Sequence, residues 1–423
     1  MIYNMKTPIV LLSLLSAVGM LHAGDLTKSV QSGDFWSKTR NELSANVLAG
    51  VRYAPVDDST IRVPRSGGLT MKPLNFGEAV ITWNEEECPD NMVIMVYNKG
   101  DDGALDKEAY EAMLAETIEG LNEITGVKGK SRRSSKKDTG VALKSWVWEW
   151  ENGVVQLDAS YTGRKKDFEG EFLRLKMGLD KESISKGGAA DAANRRELKA
   201  NVKTDEESGD VWIDGVTMVD QGDKGYCVPA TVARVFAYYG MDGVDQHALA
   251  QLCNSSGEEG TSTATMQTAL EDISRKFHIR VQCLDGKSPT ENILNFIADY
   301  NKAAKKLRKE MATPQNWVFV AKDKAVLLQA RGNKKYVKKW MAAIKKNIDM
   351  GIPVLWSVQL GIFPEAGIPQ NAGGHMRMII GYNLKEQKIL YSDSWGAGHE
   401  KKSMPANHAA AMTNSRYILR PSR

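Results

Sequence analysis

One stretch constrains the fold of this chain more than any other: the twenty residues from 221 to 240, QGDKGYCVPATVARVFAYYG. Apolar side chains recur there on one face at helical spacing, at Val232, Val235, Phe236 and Tyr239. Pro229 suits the first turn of such a helix, where its missing N–H removes no hydrogen bond, and Gly240 suits the C-terminal cap. The pattern predicts a helix that begins near Cys227, directly after a glycine-rich turn.

Cys227 is the reactive candidate in this stretch. At a helix N-terminus the partial positive charge of the backbone favours thiolate over thiol. Six residues upstream, Gln221 carries an amide that can donate a hydrogen bond to a developing oxyanion. A buried structural cysteine is about as compatible with the stretch taken alone, because free cysteine is among the most buried residue types.

Two blocks near the end of the chain favour the reactive interpretation. Each block is predicted to form an apolar strand with a polar residue at its edge. Residues 373–382 contain His375, and residues 389–396 contain Asp393. A nucleophilic cysteine needs a base, and the base needs an acceptor that orients it. His375 and Asp393 supply both, in that order.

These motifs resemble a papain-like cysteine peptidase, closest to the C39-like branch, over residues 211–423. The similarity rests on Gln-x5-Cys, on Gly-His before an apolar run, on Asp-Ser-Trp-Gly, and on Cys-Val-Pro-Ala. His375 follows Cys227 by 148 residues, within the roughly 130–150 of papain-type order. The resemblance implies a Cys227 nucleophile, a His375 base, an orienting Asp393 where papain has Asn, and Gln221 in the oxyanion hole.

Two further residues bear on the resemblance. Trp395 matches the tryptophan that shields the histidine pair from water in papain, so the resemblance implies that it covers His375. Val228 departs from the small residue usual after the nucleophile, which concerns substrate preference more than thiol chemistry.

The predicted fold class is α+β, with a papain-like peptidase domain preceded by a separate, smaller α+β domain. The predicted divisions are a signal peptide at 1–23, the smaller domain at 24–180, a linker with a short helix at 181–210 and the peptidase domain at 211–423. The smaller domain could be an inhibitory pro-domain, a substrate-recruiting module or a partner-binding module.

Three tryptophans alternate along one predicted strand of the smaller domain: Trp146, Trp148 and Trp150. Alternation places them on one face of the strand. Such a stripe could stack on sugar rings or a peptide, but aromatic residues dominate burial in small sheets. We predict that they belong to the core.

Residues 1–23 have the pattern of a secretory signal, with Lys6 before an apolar run and a plausible cleavage site at 21–23. The apolar run is shorter than the ~20 residues of a spanning helix, and no later segment is long and apolar enough. The chain is therefore predicted to be secreted or periplasmic, without a stable membrane span. A formal net charge of +4 provides no electrostatic reason to expect nucleic-acid binding.

The cysteines and histidines predict neither a metal site nor a cofactor, because none of them cluster with metal-ligand spacing. If Cys227 is the nucleophile, it must stay free, and Cys88, Cys253 and Cys283 remain. At most one internal disulfide can then form, with Cys253–Cys283 the favoured pair. An alternative with all thiols buried and reduced is nearly as well supported.

The sequence predicts an exported cysteine peptidase that cuts peptides or proteins through a Cys-His-Asp triad and an acyl-enzyme. One alternative is a peptidoglycan-cleaving or other thiol acyl-transfer enzyme, although transglutaminase-like folds usually place the histidine much closer to the cysteine. Another is a catalytically silent papain-fold binding protein, whose mark would be a lost Cys, His or Gln.

Overall fold

The computed structural model describes residues 24–133, 141–164, 167–185, 195–241, 243–255, 260–261, 263–277, 279–286, 288–315, 322–368 and 373–421. The predicted signal peptide at 1–23 lies outside these residues. In the described residues two large sheets and two large hydrophobic cores follow each other along the chain, and a third, small cluster joins residues of both halves.

An antiparallel sheet dominates the N-terminal half, with strand order β2-β3-β5-β6-β10-β9-β8-β7. The strands of this half are β1 (Gly24–Asp25), β2 (Ala54–Asp57), β3 (Thr60–Val63), β4 (Leu69–Thr70), β5 (Glu78–Trp83), β6 (Pro89–Asn98), β7 (Lys130–Arg133), β8 (Lys144–Trp150), β9 (Gly153–Thr162) and β10 (Glu169–Gly178). The helices are α1 (Thr27–Ser32), α2 (Asp34–Ser37), α3 (Arg40–Ala45), α4 (Lys99–Asp102), α5 (Lys107–Thr125) and α6 (Lys181–Ser185).

Helix α5 lies across one face of this sheet. It begins where the Asp106 carboxylate accepts a hydrogen bond from the Ala109 N–H at 3.0 Å, and Gly126 ends it in the left-handed region at φ 70°. Trp148 is fully buried in the core beneath it, and Trp146 and Trp150 pack against that core. The prediction that the tryptophan stripe belongs to the core is confirmed.

A second sheet organises the C-terminal half, with strand order β11-β12-β15-β14-β18-β13, while β16 pairs with β15 and β17. Its strands are β11 (Val202–Thr204), β12 (Asp210–Ile213), β13 (Ile279–Cys283), β14 (Val354–Leu360), β15 (Gly373–Asn383), β16 (Lys388–Ser392), β17 (Lys402–Pro405) and β18 (Thr413–Pro421). The helices are α7 (Arg195–Ala200), α8 (Cys227–Tyr238), α9 (Gln246–Cys253), α10 (Thr263–Phe277), α11 (Pro289–Leu307), α12 (Lys324–Ala330), α13 (Lys334–Ile348) and α14 (Ala406–Met412).

Strand β15 lies inside this sheet and is flanked by β12 and β14. From His375 onward it is buried, as is almost the whole of α8, and the two elements share one core. Because the nucleophile candidate begins α8 and the base candidate lies near the start of β15, this packing fixes their relative position.

The predicted linker at 181–210 contains more secondary structure than the one short helix that the sequence indicated. Its described part includes α6, α7 and β11, and β11 pairs antiparallel with β12. Leu198 of α7 is fully buried in the second core. The structured C-terminal half therefore begins before residue 211.

Within the described part of the chain, no helix combines the length and apolar character that crossing a membrane requires.

Candidate active site

Cys227 is the first residue of α8 and is only partly buried. The three residues that follow it, including Pro229, are buried in the first turn of the helix. Gly240 lies just past the helix end in the left-handed region at φ 77°. The predicted placement of the thiol at a helix N-terminus is confirmed.

His375 meets both Cys227 and Asp393. Its Nε2 lies 2.6 Å from Asp393 Oδ1, and the Cys227 thiol also hydrogen-bonds to the ring. Since Nε2 is hydrogen-bonded to the Asp393 carboxylate, the Cys227 thiol contacts Nδ1. The side chain is 7% exposed, so both interactions form in a site of low dielectric, where they are strong.

The charges of this group reinforce one another. Burial lowers the pKa of His375, but the Asp393 carboxylate and the Cys227 sulfur outweigh it and raise this pKa to about 9. Burial likewise raises the pKa of Asp393, but His375 and Arg377 reverse the effect and hold it below its usual range. An ionised Asp393 beside a protonated His375 is the favoured state near neutral pH.

Asp393 follows strand β16 and is completely buried. Besides His375 it accepts hydrogen bonds from the Ser394 N–H at 2.9 Å and from Arg377 Nε at 2.8 Å. Arg377 is itself fully buried and donates Nη1 to both oxygens of Glu365, at 3.1 and 2.9 Å. A chain of alternating charges therefore runs from the imidazole to Glu365.

Trp395 covers the imidazole of His375. The two rings stack with centroids 4.5 Å apart and an angle of 16° between their planes. The cover implied by the family resemblance is confirmed, and it restricts water near the His375–Asp393 hydrogen bond.

Gln221 lies beside this group and is held at both ends of its amide. Its Oε1 accepts a hydrogen bond from Ser394 Oγ at 2.7 Å, and its Nε2 donates to the Lys224 carbonyl at 3.1 Å. Its backbone N–H also donates to the Ser394 carbonyl at 2.9 Å. Ser394, the residue after Asp393, thus links Gln221 to the Asp393 carboxylate.

All four cysteines are free thiols, so the favoured pairing of Cys253 with Cys283 is wrong. The alternative is right that the thiols are reduced but wrong that all are buried, because only Cys253 is. Cys283 Sγ instead lies 2.9 Å from Asn292 Nδ2. Cys253 is buried near Cys227, and burial raises the pKa of its thiol to about 12. Cys253 is therefore a neutral neighbour of Cys227.

Sequence reasoning missed two buried arginines that support the site. Arg377 lies two residues after His375 on the same face of β15. Arg234 of α8 donates Nη1 to the Asp393 carbonyl at 2.8 Å. A signal was present, because each arginine interrupts an apolar run that is otherwise typical of a core element, and a buried cation requires partners.

The raised pKa of His375 predicts pH-dependent stability. An unfolded histidine has a pKa of about 6.5, so folding that raises it to about 9 adds stability that is fully present below about pH 6.5. The contribution, on the order of 3 kcal/mol, is lost as the pH rises through about 9. We expect the free energy of unfolding in urea to fall over this interval.

The Asp393→Asn variant tests the cause of this pH dependence. Without the carboxylate the pKa of His375 loses its main source of elevation, so the slope of stability against pH should flatten above about pH 6.5. Equal slopes in the wild type and the variant would contradict the assigned ion pair.

Comparison with known proteins gives one family match. Residues 213–419 match the Peptidase_C39 like family. No curated protein matches the chain. Among solved structures, xylellain, a cysteine protease from Xylella fastidiosa, has 16% sequence identity, with 55% of this chain and 92% of that chain covered. Its TM-score of 0.24 is too low for this likeness to carry any inference.

Proposed function

Residues 213–419 belong to the C39-like branch of the papain-like cysteine peptidases, and from this premise we propose that the chain hydrolyses peptide bonds through Cys227, His375 and Asp393. The observation that carries the proposal is the single imidazole of His375, which contacts the Cys227 thiol on one side and the Asp393 carboxylate on the other. That contact set is what thiol acyl transfer requires.

In the proposed reaction the Cys227 thiolate attacks the carbonyl carbon of the scissile amide. The C–N bond then breaks, the His375 imidazolium gives its Nδ1 proton to the leaving amine, and a thioester remains on Cys227. Water attacks the thioester while His375 accepts a proton, the C–S bond breaks, and the acid product leaves, which restores the Cys227 thiolate and the His375 imidazolium. Asp393 keeps the imidazole oriented throughout.

Gln221 stabilises the oxyanion in this proposal. An amide NH₂ group has two hydrogens. One of them binds the Lys224 carbonyl, and the other serves the developing negative charge, together with the Cys227 backbone N–H. Because both ends of the amide are already held, little reorganisation is needed as the charge forms.

Acylation by p-nitrophenyl acetate tests the thiol chemistry without knowledge of the natural substrate. We expect release of nitrophenol and an acetyl group on Cys227, located by peptide mass mapping. Hydrolysis of fluorescein-labelled casein tests peptide-bond cleavage. Cys227→Ala should abolish both reactions.

Cys88→Ala is the matched control, because Cys88 is also a partly buried free thiol but lies in the N-terminal half. It should acylate and cleave as the wild type does. Acetyl groups distributed over the other cysteines, with Cys227 unmodified, would refute the proposal and favour a silent binding protein.

We also propose that residues 1–23 direct export, on the support of Lys6 and the apolar run that follows it. The mature protein should then begin close to residue 24. Intact mass of the protein purified from culture, without protease inhibitors, measures this start directly. Retention of residues 1–23 would overturn the proposal.

A further inference from the structure

The loop that carries Gln221 into Cys227, residues 220–226 (the oxyanion loop), is bound to the N-terminal half by buried charges. Lys224 is 3% exposed, and its Nζ lies 2.9 Å from Glu78 Oε2 and 3.2 Å from Asp101 Oδ2. Burial lowers the pKa of Lys224, but these carboxylates more than restore it. A lysine at this depth remains charged only because the N-terminal half supplies its partners.

Arg62 makes the reciprocal connection. Its Nε donates to Asp220 Oδ2 at 2.8 Å, and its Nη1 lies 3.1 Å from Glu78 Oε2. Glu78 thus joins a cation of its own half to Lys224 of the loop. Three of these four contacts, Arg62–Asp220, Lys224–Glu78 and Lys224–Asp101, join the two halves, so separating the halves would break all three.

The Lys224 carbonyl connects these ion pairs to the proposed catalytic groups. The Lys224 carbonyl accepts the Gln221 amide at 3.1 Å and the Tyr226 N–H at 2.7 Å. Tyr226 is the residue before Cys227, and its hydroxyl hydrogen-bonds to the backbone of Gly100 in the N-terminal half. Displacement of Lys224 would therefore move the oxyanion donor.

The loop on the other side of the site touches the same half. Ala397 lies two residues after Trp395, and its N–H donates a hydrogen bond to the Pro55 carbonyl of β2 at 3.1 Å. A Cβ added at Gly396 would approach the same carbonyl to 2.9 Å. Cys227 nevertheless stays partly exposed with the N-terminal half in place, whereas an inhibitory segment would have to cover the thiol.

We propose that the N-terminal half is a permanent part of the catalytic machinery and not an inhibitory pro-region. Arg62, Glu78 and Lys224 are positioning residues that hold the oxyanion loop in its working geometry. This inference rests on the proposed function, and it adds that the enzyme needs both halves to stabilise the oxyanion.

Lys224→Met tests the inference, because it keeps much of the side-chain volume but removes the charge. We expect kcat for p-nitrophenyl acetate to fall about 100-fold, with a much smaller change in KM. Alkylation of Cys227 by iodoacetamide forms no oxyanion, so its rate should be unchanged. This split distinguishes a displaced oxyanion donor from general damage to the fold.

Lys99→Met is the matched control. Lys99 is also a largely buried lysine between two carboxylates, with Nζ 2.7 Å from Glu169 and 3.5 Å from Glu171, but all three lie within the N-terminal half. Its kcat should equal that of the wild type. Glu78→Gln is a milder variant for use if Lys224→Met does not fold, and it should also lower kcat more than KM.

Three results would decide against the inference. Unchanged kcat in Lys224→Met and Glu78→Gln would overturn it, as would an equal loss in Lys99→Met. A secreted product that begins between residues 181 and 215 and keeps full activity would overturn it as well. In each case an active wild type leaves the proposed function standing, whereas a wild type that never acylates at Cys227 refutes the proposed function itself.

Discussion

Replacing His375 with alanine is expected to lower the rate of acyl transfer to Cys227 by about 10³-fold, in the middle of the range for loss of a positioned acid–base group. The physical reason is that in the proposed reaction one ring serves both partners: it holds the thiolate and later protonates the leaving group. Loss of the ring also leaves the buried Asp393 carboxylate without its closest partner. The measurement is the rate of nitrophenol release from p-nitrophenyl acetate, together with the rate of alkylation by iodoacetamide.

His408→Ala is the control for this prediction. His408 stacks on Phe363 with ring centroids 4.2 Å apart and has no part in the proposed chemistry. Its rates should match those of the wild type. If His375→Ala kept alkylation at the wild-type rate, Cys227 would behave as an ordinary free thiol, and the triad would be refuted.

Replacing Arg377 with methionine is expected to destabilise the fold by about 3–5 kcal/mol, because removal of one partner leaves buried charges uncompensated. Arg377 is fully buried and binds both Asp393 and Glu365. Glu365 would keep the hydroxyl of Tyr391, which donates to its Oε2 at 2.6 Å, but it would lose its cation. The free energy of unfolding in urea measures the effect.

Lys345→Met provides the matched comparison, because Lys345 also pairs with a carboxylate, that of Asp349. Their side chains are 44% and 41% exposed, so the loss should be less than about 1 kcal/mol. Adding Glu365→Gln to Arg377→Met should recover part of the stability, since the double variant no longer buries the carboxylate charge that faced the arginine. Equal losses for the buried and the exposed pair would contradict the role assigned to Arg377.

Local patterns were sufficient to predict the parts of the site that short segments encode. Helical spacing after Cys227 predicted α8, because burial of one helix face requires apolar residues at that period. The apolar runs around His375 and before Asp393 predicted strands, because a short continuous apolar run is typical of a strand that is buried on both faces. The family resemblance supplied the expectation that these distant segments meet.

These local patterns could not predict contacts between distant segments. Glu78 and Lys224 are 146 residues apart, and nothing in the periodicity of either segment indicates its partner. The disulfide prediction failed for the same reason. The spacing of Cys253 and Cys283 does not show that the side-chain amide of Asn292 contacts the Cys283 sulfur.

By itself the sequence determined which residues could do thiol chemistry and on which kind of element each would lie, because periodicity, helix caps and reactive side chains are local properties. Only the tertiary structure decided what surrounds them: the Arg377–Glu365 pair behind Asp393 and the charges of the N-terminal half around Lys224. The physical reason is that a buried charge is stable only with a partner, and which side chain becomes that partner depends on how distant segments of the chain pack together.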